Sequence, residues 1–449
     1  MAKHPGSLVY AGTVAEEGAC IIRVEKASGS GRYDRIVRMI EESEKLKSTA
    51  EDKAARMADR LVPYTLGGTA LTYLLTRNVT KMLSVLMVDF SCALKLAIPI
   101  AVLSAMRESS GYHISVKGGR FLEAVAKADT IVFDKTGTLT YATPTVAAVV
   151  PFGGHDEAEM LRLAACLEEH YPHSMANAVV AEAKRHGLTH EEYHSQVQYV
   201  VAHGIASTLY GKAVRVGSRH YIECDEGIDL SPLEAEIDAQ AQMGRSLLYL
   251  AIDGKLAGFL AIEDPLRPEC PQVLKQLEEL GFRRILMLTG DDERTARAVA
   301  GKLGLKEYRA QVLPADKADV IADLTAQGCK VLMVGDGIND APALSASHVG
   351  VAMCDGADLA REVANVLLTR PDLSGLITAR LLGRATLRRI HVNFAATMLL
   401  NSMFLAGGLF MILTPGVSAL LHNLTTLGVT LNAMRPHLPG RHARQLEAA

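Results

Sequence analysis

The 449-residue chain contains no tryptophan, so no indole is available to stack on a nucleobase. It has no excess of one charge either. Against 47 Lys and Arg stand 50 Asp and Glu, a net charge of -3, which gives no bulk attraction to polyanions and argues against nucleic acid as a partner. The seven cysteines, at 20, 92, 166, 224, 270, 329 and 354, form no Cys-x-x-Cys pair. That excludes a zinc knuckle, argues against a disulfide framework and fits a reducing compartment. The start, MAKHPGSLVYAG, lacks the apolar core of a secretory signal. Charge itself is nearly missing from 390–436, where Arg435 is the one formal charge.

That uncharged stretch holds two apolar runs of about 20 residues, the length a bilayer demands, separated by Thr414-Pro415-Gly416. Arg380, Arg384, Arg388 and Arg389 precede them and Arg435, Arg441 and Arg444 follow, which places both outer ends, and so both termini, in the cytosol. An earlier pair is expected at 61–76, short, and at 82–106, long but carrying Asp89 and Lys95. The reading is four transmembrane helices, two and two, in 61–106 and 389–436, with a short cytosolic tail at 437–449. The segment between the pairs must then be soluble and cytosolic.

Within that segment, apolar runs ending in acids or turns recur at IVFDKTGTLT (131–140), RRILMLTGDD (283–292) and KVLMVGDGIND (330–340). Each reads as a buried parallel strand of an α/β sheet, whose carboxyl ends form the ligand-binding edge. Three strand ends then bring together Asp134, Thr289-Gly290-Asp291 and Asp336 with Asp340, and Lys317 lies between the last two. Phosphoryl transfer to a carboxylate needs a nucleophile, Mg2+ and donors for the phosphoryl oxygens. Asp134 supplies the first. Asp336 with Asp134 suits hard Mg2+, Asp340 steadies that site, and Thr289 and Lys317 bind oxygens. Residues 149–262, with an amphipathic helical pattern and then short alternating strands, read as an inserted α+β lobe that divides the sheet domain into 107–148 and 263–388.

DKTGTLT, TGDD, the Lys317 segment and GDGINDAP resemble the phosphorylation motifs of P-type ATPases, and the uncharged spans resemble the heavy-metal-transporting branch. The resemblance covers essentially the whole chain. It implies an HAD-like, Rossmannoid phosphorylation domain in which Asp134 accepts the ATP γ-phosphate, with Lys135, Thr136, Thr289, Gly290, Asp291 and Lys317 as the catalytic set. It also implies a nucleotide lobe in which His173 orients adenine, with Ser174 where the branch usually has proline. Gly204 and Gly217 would let backbone approach ATP, and Asp264 and Arg267 would form the hinge back to the phosphorylation domain. A soluble phosphatase of the same superfamily is the alternative. Such enzymes place an acid/base two residues after the nucleophile, where this chain has Thr136, a poor base.

For the transported ion, the branch's Cys-Pro-Cys position holds Phe90-Ser91-Cys92 here, although Pro99 can still loosen the helix. Asp89 and Cys92, three apart, are expected on one helix face, joined by His422 and the neighbouring Asn401, Asn423 and Asn432. Imidazole, thiolate and carboxylate suit a borderline divalent cation of the Zn2+, Mn2+ or Co2+ class. Residues 1–60 are expected to be an actuator-domain remnant and linking helix. No Thr-Gly-Glu loop occurs. The expectation is a truncated pump in a bacterial inner membrane, completed by a separate actuator fragment or left as a non-transporting regulatory remnant.

Overall fold

Thr130–Asp134 forms a strand because its β-branched and aromatic side chains can be buried on both faces at once. Ile131 and Phe133 enter one apolar cluster and Val132 enters another on the opposite side. The structure, a computed structural model, describes residues 50–169, 174–188, 198–200, 204–209, 211–356 and 358–438. Among them, with strands numbered in chain order, seven form one sheet. Its order is β1 (Ile114–Val116), β13 (Val366–Leu368), β12 (Val349–Ala352), β11 (Val331–Gly335), β2 (Thr130–Asp134), β9 (Arg284–Leu288) and β10 (Glu307–Arg309). Only the β1–β13 pair is antiparallel. The three expected strand ends are therefore neighbours: β2 lies between β11 and β9, all pointing the same way.

The inserted lobe is built on a second, antiparallel sheet. Among the described residues it runs β3 (Thr145–Pro151), β8 (Lys255–Glu263), β7 (Ser246–Ile252), β6 (Lys212–Gly217), β5 (Gly204–Leu209) and β4 (Gln198–Val200). Its first strand starts at Thr145, ahead of the expected boundary at 149. Residues 1–49 of the expected actuator remnant and linking helix, and His173, lie outside the described residues.

The apolar segments form helices Ala50–Thr76, Val79–Leu86, Ser91–Gly111, Ser374–Leu409 and Pro415–Ala433, packed on one another. Among the described residues one of them, Ser374–Leu409, is long and apolar enough to cross a membrane by length and composition. The expected span at 82–106 is broken at 87–90, so Asp89 and Cys92 do not share a helix face. Asp89 Oδ2 instead accepts the Cys92 backbone N–H at 3.1 Å, and Asn401 Nδ2 donates to the Asp89 carbonyl at 3.0 Å. Those bonds satisfy backbone groups that the break would leave orphaned in an apolar setting.

The bundle buries polar side chains alongside small and aliphatic ones and exposes many large apolar ones. Asn393, Thr397, Asn401, Ser418 and His422 are buried, whereas Leu399, Met403, Leu420, Leu424 and Leu431 are exposed. Polar interiors under apolar exteriors are the arrangement that lipid favours.

The 36-residue helix Ser374–Leu409 starts in the sheet domain and ends in the bundle. It packs on helix Gly119–Lys127, which leads directly into β2. Arg380 Nη1 donates to the Val125 carbonyl at 2.5 Å, and its guanidinium lies 4.4 Å from the Phe282 ring centre. Gly383 permits the close approach: a Cβ there would stand 2.7 Å from the Leu122 carbonyl oxygen. Gly383→Val is therefore expected to lower stability by about 1–3 kcal/mol through overpacking. Thermal unfolding followed by circular dichroism checks this, and an unchanged midpoint would show that the two helices separate freely.

Candidate functional site

Parallel pairing of β2 with β11 and β9 places Asp134, Asp336 and Thr289 along one edge. At that edge the chain leaves β2 in a tight loop, Lys135–Leu139, with Gly137 at φ 74°. A Cβ on Gly137 would lie 1.6 Å from Asp336 Oδ2, so the glycine is what lets the Asp336 carboxylate rest against this loop.

Asp134, Asp336 and Asp340 offer oxygens within 4.8 Å of one another. Lys317 lies among them, its Nζ 2.6 Å from Asp134 Oδ1 and 2.6 Å from Asp340 Oδ1. Asp340 Oδ2 also accepts the Gly337 backbone N–H at 3.1 Å. Burial first, then Asp340, push Asp134 up to about 6, against the pull of Lys317. Asp336 is pushed further, to about 8, by burial and by the charges of Asp134 and Asp340. Burial alone would pull Lys317 down, yet its two carboxylate partners hold it above the ordinary lysine range.

A second group adjoins the first. Lys135 Nζ is 2.5 Å from Asp291 Oδ2, which also accepts from Thr289 Oγ1 at 2.8 Å. Burial would push Asp291 up, but Lys135, Ser246 and Thr289 hold it below the usual carboxylate range. Thr136 is partly buried and adopts an extended backbone, and Gly290 is exposed at the turn after β9. The structure thus brings together Asp134, Lys135, Thr136, Thr289, Gly290, Asp291, Lys317, Asp336 and Asp340.

The expected nucleotide and hinge residues divide differently. Arg267 is 1% exposed and faces the Lys135–Leu139 loop instead of an open cleft. Its Nε donates to the carbonyls of Thr138 at 2.9 Å and Thr140 at 3.1 Å, its Nη2 to Gly137 at 3.2 Å and its Nη1 to Pro371 at 2.7 Å. With the guanidinium committed to backbone oxygens, its direct place is in shaping the loop. Asp264 supports the same loop, accepting from Thr140 Oγ1 at 2.5 Å, while that hydroxyl takes the Gly137 N–H at 2.9 Å. Gly204 and Gly217 are cross-strand partners. At Gly204 a Cβ would meet the Val216 carbonyl at 2.3 Å, so the lobe's own sheet already requires that glycine.

In the bundle, Cys92 is exposed and does not join the interior polar set. Lys95, one of the charges noted in the 82–106 span, pairs with Asp59 at 2.6 Å. His422 is buried, with Nδ1 3.4 Å from Asn401 Oδ1, and Asn401 reaches the Asp89 carbonyl. Asn432 Nδ2 donates to Asn393 Oδ1 at 2.7 Å nearby. Gly137, Thr140 and Ser246 were not singled out by their sequence. The first two sit inside the DKTGTLT string, which was signal enough, whereas Ser246 carries no local mark.

Residues 128–348 match a family profile described as haloacid dehalogenase-like hydrolase. The chain is similar to a copper-transporting P-type ATPase of Rhizobium leguminosarum bv. viciae, 33% identical over 96% of this chain and 53% of that protein. A manganese-exporting P-type ATPase of Mycobacterium bovis is 34% identical over 96% of this chain and 60% of its own length. Among solved structures, a zinc-transporting PIB-type ATPase in the E2.Pi state matches with a TM-score of 0.68 and 31% identity, covering 91% of this chain and 68% of that one. The chain spans about half the length of the curated relatives it matches. With an aspartate-ended central strand, an inserted lobe and a polar-cored apolar bundle in one polypeptide, the chain belongs to the heavy-metal-transporting P-type ATPases.

Proposed function

We propose that this chain forms the ATP-consuming part and a portion of the ion path of a transition-metal pump that works through an aspartyl phosphate on Asp134. The observation that carries the reading is Asp134 at the centre of the sheet edge, bonded to the Lys317 ammonium with Asp336 and Asp340 alongside. In the step proposed, an Asp134 carboxylate oxygen attacks the γ-phosphorus of ATP and the bond to the β-phosphate oxygen breaks. ADP leaves with that electron pair and no proton need move. Lys317 offsets the charge that would otherwise repel an anionic phosphate from an anionic nucleophile. Lys135 stands ready as a second cation. Thr136 cannot serve as a base, so this chain's own residues favour a persistent adduct over a rapid hydrolysis.

The three aspartates fit Mg2+, since hard carboxylate oxygens converge within 4.8 Å. Bound there with Asp134, Asp336 and Asp340, Mg2+ would neutralise charge on carboxylate and phosphate.

For the ion, the interior set of His422, Asn401 and the Asp89 carbonyl supports a borderline divalent cation of the Zn2+, Mn2+ or Co2+ class, without a thiolate from Cys92. The exposed apolar faces of the bundle, its candidate spanning helix and its arginine flanks support a bilayer location with the catalytic domains cytosolic.

Incubation with γ-labelled ATP and Mg2+ should give an acid-stable, hydroxylamine-sensitive label that Asp134→Asn abolishes. Gly137→Ala should abolish it too, because the added methyl would occupy the place of the Asp336 carboxylate. Label surviving in Asp134→Asn would refute the assignment. In equilibrium dialysis with Zn2+, His422→Ala is expected to weaken binding by roughly ten-fold or more, as loss of one ligand should. Cys92→Ala should leave Zn2+ binding within about two-fold by the same reasoning. The reverse order would return the thiol to the site.

A further inference from the structure

Ser246 opens β7 of the inserted lobe, yet its hydroxyl lies at the site edge of the other sheet. Oγ donates to Asp291 Oδ1 at 2.7 Å and stands 3.2 Å from Lys135 Nζ as its acceptor. The other Asp291 oxygen takes Lys135 and Thr289. One side chain of the lobe thus completes a buried triangle with two residues of the phosphorylation domain.

The segment that delivers Ser246 is clamped. Thr295, on helix Glu293–Leu303, is fully buried, and its Oγ1 donates to the Arg245 carbonyl at 3.0 Å. Lys302 donates to the Met243 carbonyl. Gly244, at φ 77°, sits so near the same helix that a Cβ would lie 3.2 Å from Val299 Cγ2. Arg294 pairs with Glu234 and Asp238 on the lobe's helix Glu234–Gln242. The seat of the lobe therefore fixes where the Ser246 hydroxyl stands.

A hydroxyl can donate to a carboxylate and accept from an ammonium at once. Alanine at 246 would leave Asp291 Oδ1 without this donor and free the Lys135–Asp291 pair to rotate. Building on the phosphoryl-transfer reading above, we propose that Ser246 is a positioning residue: through it the docked lobe sets the Asp291 carboxylate, and thereby where the Lys135 ammonium stands relative to Asp134. Lobe docking and cation placement become one event.

The test compares the full chain in detergent as wild type, Ser246→Ala and Ser246→Thr, with two readouts. The first is the rate of Asp134 labelling by ATP at saturation and the apparent KM. Ser246→Ala should slow labelling about ten-fold, the loss of one hydrogen bond to a charged group, with KM within about two-fold. Ser246→Thr, which keeps the hydroxyl, should restore the rate. The second readout is acylation of Lys135 by an amine-reactive acetyl ester, quantified by peptide mass spectrometry. It should be faster in Ser246→Ala and return to wild-type speed in Ser246→Thr.

A change in KM alone, or a slowing that threonine does not rescue, overturns the proposal. If wild-type protein takes no label, the phosphoryl-transfer reading falls and acylation alone decides: faster in alanine and rescued by threonine supports the positioning role, equal rates overturn it. Should Ser246→Ala fail to fold, Thr295→Val takes its place, since it loosens the Arg245 carbonyl without touching Asp291. Slowed labelling, or faster Lys135 acylation if no label forms, then supports the proposal, and wild-type behaviour overturns it.

Discussion

One ammonium allows three carboxylates to share a buried sheet edge. Lys317, 2.6 Å from both Asp134 and Asp340, cancels part of a repulsion that burial would otherwise magnify. Burial first, and then the charges of Asp134 and Asp340, still push Asp336 up. Much of the surrounding architecture serves to hold this arrangement. Parallel strands aim the carboxylates, Gly137 admits Asp336 to the loop, and Arg267 fastens the loop's carbonyls from behind.

The aspartate site at the sheet edge was legible in the sequence because its parts are local strings at strand ends, and parallel pairing of buried strands brings such ends to one edge. Asp134, Lys317, Asp336 and Asp340 meet as their spacing suggested. What escaped was set by tertiary contact. Ser246 looks like any strand-opening serine until the lobe is seated. Arg267 reads as a hinge cation, yet its guanidinium is taken up by four backbone oxygens. Helical spacing put Asp89 beside Cys92, but the chain unwinds at 87–90, where Asn401 from a distant helix compensates the freed carbonyl. No local rule shows that partner.

The bundle and the sheet domain differ in what they expose and bury within one chain. Around β2 apolar residues turn inward and charged groups gather at the strand ends, whereas the bundle buries asparagine, threonine and histidine together with small and aliphatic residues and turns many leucines outward. Helix Ser374–Leu409 crosses from one regime to the other without interruption.

That continuity has a mechanical consequence. From Arg380, held to the helix that feeds β2, to Asn401 is about 31 Å along the axis at 1.5 Å per residue. Used as a lever, a tilt of roughly 5° at the near end moves the far end by about 3 Å. The Asn401 contact with the Asp89 carbonyl is itself 3.0 Å long. A tilt of that size at the sheet end would therefore shift this polar contact by about its own length, so a rigid helix of this reach would magnify an angular change made at the sheet.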